Sequence, residues 1–536
     1  MELISIFWII LSLPYLAFAV FNLKHQLHML QQNSYRNERY SLWLKTKGQS
    51  DKRGLLAFLA VIPLLFGVTV GDYVSLLLWT LIYLIFLQTR DKTPAKKPLV
   101  FTARAKRLFA VALILYLLPA LLLIVIVLGG DLNSLQKAVA MAVLIIMSYF
   151  TWFFLMLANI ILQPLEDHRK AAYFLEAQSL LSENPDLLKI AITGSFGKTS
   201  VKHILNKIME EKYHTLMPPG SYNTPMGITI TVREHLNPLH QAFITEMGAK
   251  QKGDIKELCD LVQPQYGILT ALGEQHLETF GSFENIIDTK FELIEALPQD
   301  GIAVLNFDDE NIRANAGRMK GRVISYGLHS EGLDYRARDI TYNNRGMEFV
   351  VEGPEGQWEI IKSKLLGEHN VYNIVAAIAM AHALGLTLSQ AKKAIATLPP
   401  VEHRLELKVH SNGLVVIDDA FNANPVGANA AMAVLGSMTG GRKFLITPGM
   451  VELGEKEAEE NKKFGRAAAE ACDYIALVGV KQTEPIKAGI LEAGFPPERL
   501  FIAEDLKAAN AYVYGKAVAG DIILYENDLP DTYNEK

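Results

Sequence analysis

A glycine-rich segment with a lysine and hydroxyl side chains is the part of this sequence best suited to phosphate chemistry. Its loop residues are Gly194, Ser195, Gly197, Lys198, Thr199 and Ser200. In such loops, backbone N–H groups bind phosphate oxygens, the lysine reaches the terminal phosphates and the threonine hydroxyl ligates Mg²⁺. We therefore predict that these six residues bind ATP together with Mg²⁺. The alternative interpretation is an ordinary glycine turn with an exposed lysine.

Two further candidates follow later strands. Glu246 comes directly after the predicted strand 242–245, and His276 comes soon after the predicted strand 266–270. Because ligands of open α/β sheets bind at the carboxyl ends of the strands, we expect both side chains to lie beside the phosphate loop, with Glu246 near the Mg²⁺ held by Thr199. Taken singly, Glu246 could be a solvated strand end and His276 a hydrogen-bonded loop histidine.

The elements that must position these residues follow an α/β pattern. The apolar run 188–192 predicts a buried strand before the loop, and apolar spacing after it predicts a helix. Strands and helices then alternate, short β-rich runs occupy 322–366, and Pro399-Pro400 marks a boundary. We predict a P-loop-type central ATP-binding domain over 189–399 and a C-terminal Rossmann-like domain over 400–536.

The first part of the chain is apolar and basic. Five apolar segments predict a transmembrane α-helical region over 1–163, followed by a helical connector over 164–188; they are 3–23, 54–70, 73–87, 108–129 and 138–163. The alternative for the first segment is a signal peptide with a cleavage site after Ala19.

Charge predicts the orientation of these segments. Residues 1–163 hold 15 Lys and Arg against 6 Asp and Glu, and the loops 24–53 and 88–107 carry seven basic residues each. Positive loops stay in the cytoplasm, so we predict a multi-pass plasma-membrane protein with its N-terminus outside and its catalytic domains cytoplasmic.

The rest of the composition excludes other classes of protein. The whole chain has a net charge of −5, so the part after residue 163 is acidic, which argues against a nucleic-acid partner. Cys259 and Cys472 are the two cysteines, and they argue against a disulfide framework.

Many ordered motifs after residue 190 resemble those of the Mur ligase family, which joins amino acids or peptides to a carboxylate with ATP. Beside the phosphate loop, the matching runs are 221–227, 246–249, 276–278, Lys290, 369–373, His403-Arg404, 418–425 and 450–454. The run 418–425 is most similar to that of the family members that add D-alanyl-D-alanine to a muramoyl tripeptide. In that family a soluble UDP-binding domain precedes the core, and here the predicted transmembrane region stands in its place.

The resemblance implies a role for each matching residue. Lys198 would hold the phosphates, Thr199 and Glu246 one Mg²⁺, and His276 with a carbamylated Lys290 a second. The remaining implied contacts are Asn370 and Asn373 with adenine, Arg404 with the γ-phosphate, Asp419 with the ribose, and Asn422 and Asn424 with the domain-closing turn. Helix or strand capping is the alternative for the asparagines.

The sequence therefore predicts a membrane-anchored, ATP-dependent and ADP-forming amide ligase of cell-envelope or peptidoglycan-precursor synthesis. An acyl phosphate would form from a small-molecule or lipid-linked carboxylate, and the amine would be an amino acid or a dipeptide. The alternatives are a poly-γ-glutamate-type synthetase and, from another class, an ATP-driven transporter. A non-catalytic scaffold conflicts with the presence of Lys198, Glu246 and Arg404 in one chain.

Overall fold

The computed structural model divides the chain into two compact units, Met1–Ala172 and Tyr173–Lys536. It describes residues 2–33, 35–46, 72–88, 98–129, 132–220, 222–274, 277–400, 403–420, 424–451, 453 and 456–527.

The first unit is helical. Its helices are α1 (Glu2–Gln32), α2 (Asn37–Thr46), α3 (Asp72–Gln88), α4 (Ala103–Gly129), α5 (Ser134–Tyr149) and α6 (Thr151–Ser182), the last of which continues into the second unit. Its core contains a group of aromatic side chains: Tyr15 stacks on Trp79, and the Tyr15 and Tyr116 hydroxyls lie 2.6 Å apart.

This unit corrects the predicted localisation. Within the described residues, one helix (Ala103–Val127) is long and apolar enough to cross a membrane, or two if the pair α5 and α6 counts as one span. That pair is bent by 64°, so the predicted span 138–163 is not one straight helix. The predicted span 54–70 lies outside the described residues. The prediction of a multi-pass plasma-membrane protein is therefore wrong.

The hydropathy pattern led to the wrong localisation because apolar composition does not show whether a helix is covered by lipid or by other helices. In α3, which is too short to count as a candidate span, Leu76, Trp79 and Tyr83 are buried within the helical unit itself, so part of the apolar signal of the predicted span 73–87 comes from helix packing. A window of hydropathy counts these side chains in the same way as side chains that face lipid.

The phosphate loop belongs to a nine-stranded sheet in the second unit, with strand order β2-β3-β1-β4-β5-β6-β7-β8-β9. Neighbouring strands are parallel as far as β7, and β7, β8 and β9 pair antiparallel. The strands are β1 (Leu188–Thr193), β2 (Thr215–Leu216), β3 (Ala242–Glu246), β4 (Tyr266–Leu269), β5 (Ile302–Asn306), β6 (Arg322–Gly327), β7 (Tyr335–Asn343), β8 (Gly346–Glu352) and β9 (Trp358–Ser363).

Helices pack against this sheet. They are α7 (Lys198–Met209), α8 (Pro225–His235), α9 (Asp254–Val262), α10 (Leu277–Phe280), α11 (Phe283–Ala296), α12 (Glu310–Asn315), α13 (Glu368–Ala383) and α14 (Leu388–Ala396). Helix α7 buries Val201, Ile204, Leu205 and Ile208, which have the spacing of one helical face. That packing fixes the start of α7, and with it the phosphate loop, against the sheet.

A six-stranded sheet follows, with strand order β10-β11-β15-β12-β13-β14. Its strands are β10 (Glu406–Val409), β11 (Val415–Asp419), β12 (Lys443–Thr447), β13 (Tyr474–Val478), β14 (Leu500–Ala503) and β15 (Ile522–Glu526), and all but β10 run parallel. The helices are α15 (Pro425–Ser437), α16 (Glu457–Ala471), α17 (Glu484–Glu492) and α18 (Leu506–Lys516). The predicted α/β organisation with two successive domains is confirmed, while the limits 189–399 and 400–536 stay predictions.

Candidate active site

The phosphate loop turns sharply between β1 and α7 and lies against two other segments. Gly194 and Gly197 have φ values of 149° and 80°, a region that favours glycine. A Cβ atom on Gly194 would overlap the Thr270 hydroxyl, and one on Gly197 would lie 2.5 Å from Oδ1 of Asn373. The Ser195 N–H donates to the Ala271 carbonyl at 2.7 Å. Both glycines are therefore required by close packing as well as by backbone conformation.

Lys198 is held by the loop that precedes it. Its Nζ donates to the carbonyls of Gly194 at 2.7 Å and Ser195 at 3.0 Å. Burial lowers the pKa of Lys198, and the negative charge of Glu246 opposes that shift. The cation is therefore placed at the loop, beside the start of α7, where anionic phosphates are favoured.

Glu246, at the end of β3, is the acidic centre of the site. Its Oε2 accepts from the Thr199 hydroxyl at 2.8 Å, and its Oε1 accepts from the Asn223 amide at 2.9 Å. It is 2% exposed. A hydroxyl and a carboxylate side by side are oxygen ligands of the kind that Mg²⁺ takes, so Thr199 and Glu246 fit one such ion. The structure thus brings these two predicted residues together.

Sequence reasoning missed Lys202, which is completely buried next to Glu246. Its Nζ lies 3.8 Å from Oε2 of Glu246 and donates to the carbonyls of Pro218 and Gly220. A signal was present, because Lys202 lies between Val201 and Leu205 on α7. A lysine beside the buried face of a helix is rare unless a charged partner faces it.

Lys290 is on α11 and is 4% exposed. Burial lowers its pKa to about 7, the charge of Lys198 acts in the same direction, and Asp254, Glu292 and Glu246 oppose the shift. An amine with that pKa is partly neutral at pH 7, and the neutral form is the one that reacts with CO₂. His276 lies outside the described residues, so the predicted second metal site is not brought together here.

The two asparagines predicted to meet adenine lie on α13. Asn370 donates to the Leu366 carbonyl at 2.8 Å, and Asn373 donates to Oδ1 of Asn370 at 3.2 Å. Because Oδ1 of Asn373 also lies close to Gly197, this helix borders the phosphate loop. The two asparagines therefore lie near the phosphate loop, and their contact with adenine stays a prediction.

Asp308 holds the segment 328–330 in place through hydrogen bonds. The sequence analysis did not identify Asp308 as a site residue. Its carboxylate accepts from the N–H groups of Leu328, His329 and Ser330 and from the Tyr372 hydroxyl, at 2.6 to 3.0 Å. These hydrogen bonds hold the pKa of Asp308 far below its usual range, against the effect of its partial burial. The sequence around Asp308 does not predict its four hydrogen-bond donors, because three of them come from a distant loop.

Arg404 lies in a strained turn between the two sheets. Its neighbours His403 and Leu405 have φ values of 57° and 45°. The turn is held by the Leu405 N–H, which donates to Oδ1 of Asp419 at 3.0 Å, and by His403, whose Nδ1 lies 2.9 Å from Oδ2 of Asp418. The positive charge of Arg404 lowers the pKa of His369, after burial, and opposes the upward shift of Asp419.

The remaining predicted residues lie at the carboxyl end of β11. Asp419 is half-buried beside Glu526, and the predicted ribose contact stays a prediction. Asn424 caps α15, since its side chain accepts from the Gly427 N–H at 3.0 Å. Asn422 lies outside the described residues.

Two family models match segments of the second unit. The family model described as "Mur ligase middle domain" matches residues 192–381, and that described as "Mur ligase, glutamate ligase domain" matches residues 403–525. The two matched segments carry the phosphate loop, Glu246, Lys290, the α13 asparagines and Arg404.

Individual relatives agree with the family models. The UDP-N-acetylmuramoyl-tripeptide–D-alanyl-D-alanine ligase of Bacillus subtilis is 32% identical over 339 residues, 63% of this chain and 72% of the relative. The Escherichia coli ligase of the same name is 33% identical over 301 residues, 55% and 65% of the two chains. A crystal structure of MurF from Acinetobacter baumannii superposes with a TM-score of 0.57 at 28% identity, over 67% and 78% of the chains. MurF from Thermotoga maritima in complex with ADP gives 0.55 at 25% identity, over 67% and 80%.

Proposed function

The chain belongs to the Mur ligase family, and from that premise we propose that it joins the carboxylate of a UDP-N-acetylmuramoyl tripeptide to the amine of D-alanyl-D-alanine. Members of this kind are ATP-dependent, ADP-forming peptide ligases of peptidoglycan-precursor synthesis, and this chain is such a ligase. The donor and the amine are those in the names of the relatives from B. subtilis and E. coli.

One observation supports the proposal above others. The Thr199 hydroxyl lies 2.8 Å from the Glu246 carboxylate, and Lys198 lies in the loop that begins the same helix. A lysine that can bind phosphate and two oxygen ligands for Mg²⁺ therefore lie together at the carboxyl edge of one sheet. This is the arrangement that phosphoryl transfer from ATP requires, because the reaction depends on positioning and charge stabilisation.

The first half-reaction activates a poor electrophile. A carboxylate oxygen of the donor attacks the γ-phosphorus of ATP, and the bond between that phosphorus and the β-phosphate oxygen breaks. ADP is the leaving group, and the donor becomes an acyl phosphate. Lys198 stabilises the charge on the phosphates. Arg404 meets the γ-phosphate, and Asn370 and Asn373 hold the adenine at the start of α13.

Mur ligases use Mg²⁺ with ATP, and when bound the ion screens the repulsion between the anionic donor and the phosphates. Thr199 and Glu246 would hold one ion. A second would be held by His276 and by Lys290 as its carbamate, in which CO₂ has converted a cationic side chain into an oxygen ligand. The burial of Lys290 and its lowered pKa favour that modification.

The second half-reaction forms the amide. The amine nitrogen attacks the acyl carbon, and phosphate leaves from the tetrahedral intermediate. Because Arg404 lies in the turn between the two sheets, movement of the C-terminal sheet would bring Arg404 and the amine to the phosphate loop together.

The alternative functions predicted from the sequence, a transporter and a poly-γ-glutamate-type synthetase, have less support. A transporter would need a transmembrane pathway, and the described residues contain one candidate membrane helix, or two if the bent pair counts as one span. Neither a lipid-linked donor nor a poly-γ-glutamate donor is the substrate in the names of the relatives.

Mass spectrometry of the reaction products tests the proposal. The full chain is incubated with ATP, Mg²⁺, the UDP-linked tripeptide and D-alanyl-D-alanine, and one ADP is expected for each pentapeptide formed. Parallel reactions replace the donor with a lipid-linked muramoyl tripeptide or with poly-γ-glutamate. Product from one of those donors alone, or ATP hydrolysis that needs no amine, would overturn the proposed substrate.

A further inference from the structure

Phe196 is an apolar side chain at an exposed position of the phosphate loop. Of the loop residues 194–200, all of which the structure describes, Phe196 is 54% exposed, whereas the polar Ser195 is 4% exposed and the other five are buried or partly buried. A single exposed aromatic ring is ordinary on a protein surface. This ring belongs to the segment that binds the phosphates, so what it contacts bears on the reaction.

Both the main chain and the ring of Phe196 are held in place. Its carbonyl accepts a hydrogen bond from the Thr270 hydroxyl at 2.5 Å. Its ring lies against Gly273, because a Cβ atom added to that glycine would lie 2.5 Å from Cε2 of the ring. Gly273 is itself fixed, since the Ser195 hydroxyl accepts from its N–H and donates to its carbonyl, each at 3.0 Å. The ring is therefore packed against Gly273 while more than half of it stays exposed.

The ring stands beside the group that would hold the reacting phosphate. The Lys198 ammonium donates to the carbonyls of Gly194 and Ser195, so this side chain folds back past residue 196 toward the start of the loop. Gly197 approaches Asn373 on α13, where adenine is predicted to bind, whereas the Phe196 ring contacts the segment that follows β4. The ring therefore borders the terminal phosphates from a different segment than the one predicted to hold the adenine.

The proposed reaction passes through an intermediate that water can destroy. Water competes with the amine for the acyl carbon of the acyl phosphate. When water attacks, its oxygen bonds to that carbon and the C–O bond to phosphate breaks. One proton of the water goes to the phosphate and the other to solvent. The donor carboxylate is then regenerated and one ATP has been consumed without an amide.

Exclusion of water from the reacting centre prevents this kind of side reaction. An apolar ring is suited to that task because it offers water no hydrogen-bond acceptor or donor of ordinary strength. The exposed part of the Phe196 ring also gains free energy when a bound substrate covers it, since apolar surface is then removed from water.

We propose that the Phe196 ring shields the acyl phosphate from water and so directs this intermediate to the amine. This rests on the proposed ligase function. The role requires an apolar side chain of sufficient size at residue 196, and it requires no titratable group.

The variant Phe196→Ala tests this role, and it should fold because the ring is largely outside the core. The full chain is assayed with ATP, Mg²⁺, the UDP-linked tripeptide and D-alanyl-D-alanine, and both ADP and amide are counted. The wild type should form one ADP for each amide. For Phe196→Ala at low amine concentration we expect about three or more ADP for each amide, because water then reaches the acyl phosphate. This ratio should fall toward one as the amine concentration is raised, and the excess ADP should require the donor.

Three further variants complete the test. Phe196→Leu keeps an apolar side chain at the same place and should stay near one ADP for each amide. Trp358→Ala removes a ring that is 61% exposed on β9, away from the phosphate loop, and should behave as the wild type. Phe196→Ser should show the same excess of ADP as Phe196→Ala, and it keeps the test decisive if the alanine variant does not fold.

The ratio of ADP to amide separates this inference from the proposed function. A ratio of one in the alanine and serine variants at every amine concentration would overturn the inference and leave the ligase function intact. Excess ADP without the donor would also overturn it, because the ring would then protect ATP. A raised KM for ATP with a ratio of one would place the ring against the nucleotide, with the same consequence. An absence of amide in the wild type would count against the ligase function itself.

Discussion

The ammonium of Lys202 lies 3.8 Å from Oε2 of Glu246, and the two side chains are 0% and 2% exposed. The same ammonium donates to the carbonyls of Pro218 and Gly220. Lys202 therefore joins three parts of the site: the helix of the phosphate loop, the acidic end of β3, and the segment that leads to Asn223. Burial lowers the pKa of Lys202, and the charge of Glu246 opposes that shift.

We expect Lys202→Met to destabilise the fold although it preserves most of the side-chain volume. Removing one partner leaves the Glu246 charge buried without its cation, and such a change costs about 3–5 kcal/mol. Urea unfolding measures the free-energy difference. Lys207→Met, at a partly exposed position of the same helix, is the control and should be nearly neutral. Equal midpoints for both variants would show that Glu246 does not depend on Lys202.

Lys198→Ala should abolish ligation and leave stability almost unchanged. The side chain contacts carbonyls of its own loop and not the apolar core, so its loss removes phosphate stabilisation without creating a core cavity. The expected fall in kcat is about 100- to 1000-fold, as for the loss of one charge-stabilising donor. Steady-state kinetics and thermal unfolding are measured together, with Lys207→Ala as the control. Normal turnover by Lys198→Ala would remove this residue from the site.

Lys290→Ala should be inactive, and added acetate should restore part of the activity by supplying the missing carboxylate oxygen. In the wild type, ¹³C NMR with labelled CO₂ should show a carbamate signal that is absent from the variant. Because the pKa of Lys290 is about 7, its neutral fraction falls tenfold per pH unit below that value. The carbamate signal should fall with it.

The control for this prediction is Lys256→Ala, an exposed lysine nearby, which should keep both activity and the carbamate signal. Full wild-type activity after thorough removal of CO₂ would show that Lys290 acts as an unmodified lysine.

Asp308→Asn should weaken the fold in a pH-dependent way. The pKa of Asp308 is lower in the folded protein than its unfolded value of about 3.9, so its contribution is present above pH 4 and is lost as the pH falls further. The variant should be about 2–3 kcal/mol less stable at pH 7, the range for hydrogen bonds to a charged group. The difference should narrow from pH 5 to pH 2 in denaturant titrations.

Asp300→Asn, at an exposed position, should show no such narrowing. A gap between wild type and Asp308→Asn that stays constant down to pH 2 would mean that the charge of Asp308 is not what stabilises the loop.

The sequence was a good guide where local pattern decides the structure. The strand predicted at 242–245 is β3, Ala242–Glu246, and the predicted strand and helix flank the phosphate loop. Glycine spacing and apolar periodicity are properties of neighbouring residues, so they can be observed without the fold. The contact between Thr199 and Glu246 was also predictable, because the carboxyl ends of parallel strands lie at the same edge of a sheet.

Partners that come from distant segments were not predictable. Nothing near Lys202 in the sequence identifies Glu246 as its counter-ion, and Asp308 receives three of its four hydrogen bonds from a loop about 20 residues away. The localisation was wrong for a related reason: apolar composition does not distinguish a side chain covered by another helix, such as Tyr83, from one covered by lipid.

The position of β15 in the C-terminal sheet constrains when that domain can form. A chain that leaves the ribosome in order exposes β11 and β12 long before residues 522–526 arrive to fill the gap between them. Until then the two strands have unpaired backbone edges, which are open to pairing with other chains. Closing a loop of about 100 residues to insert the central strand is also slow compared with local pairing. The carboxyl edge of this sheet places Asp419, at the end of β11, beside Glu526, at the end of β15, so this edge is complete only after the last strand of the domain has been inserted.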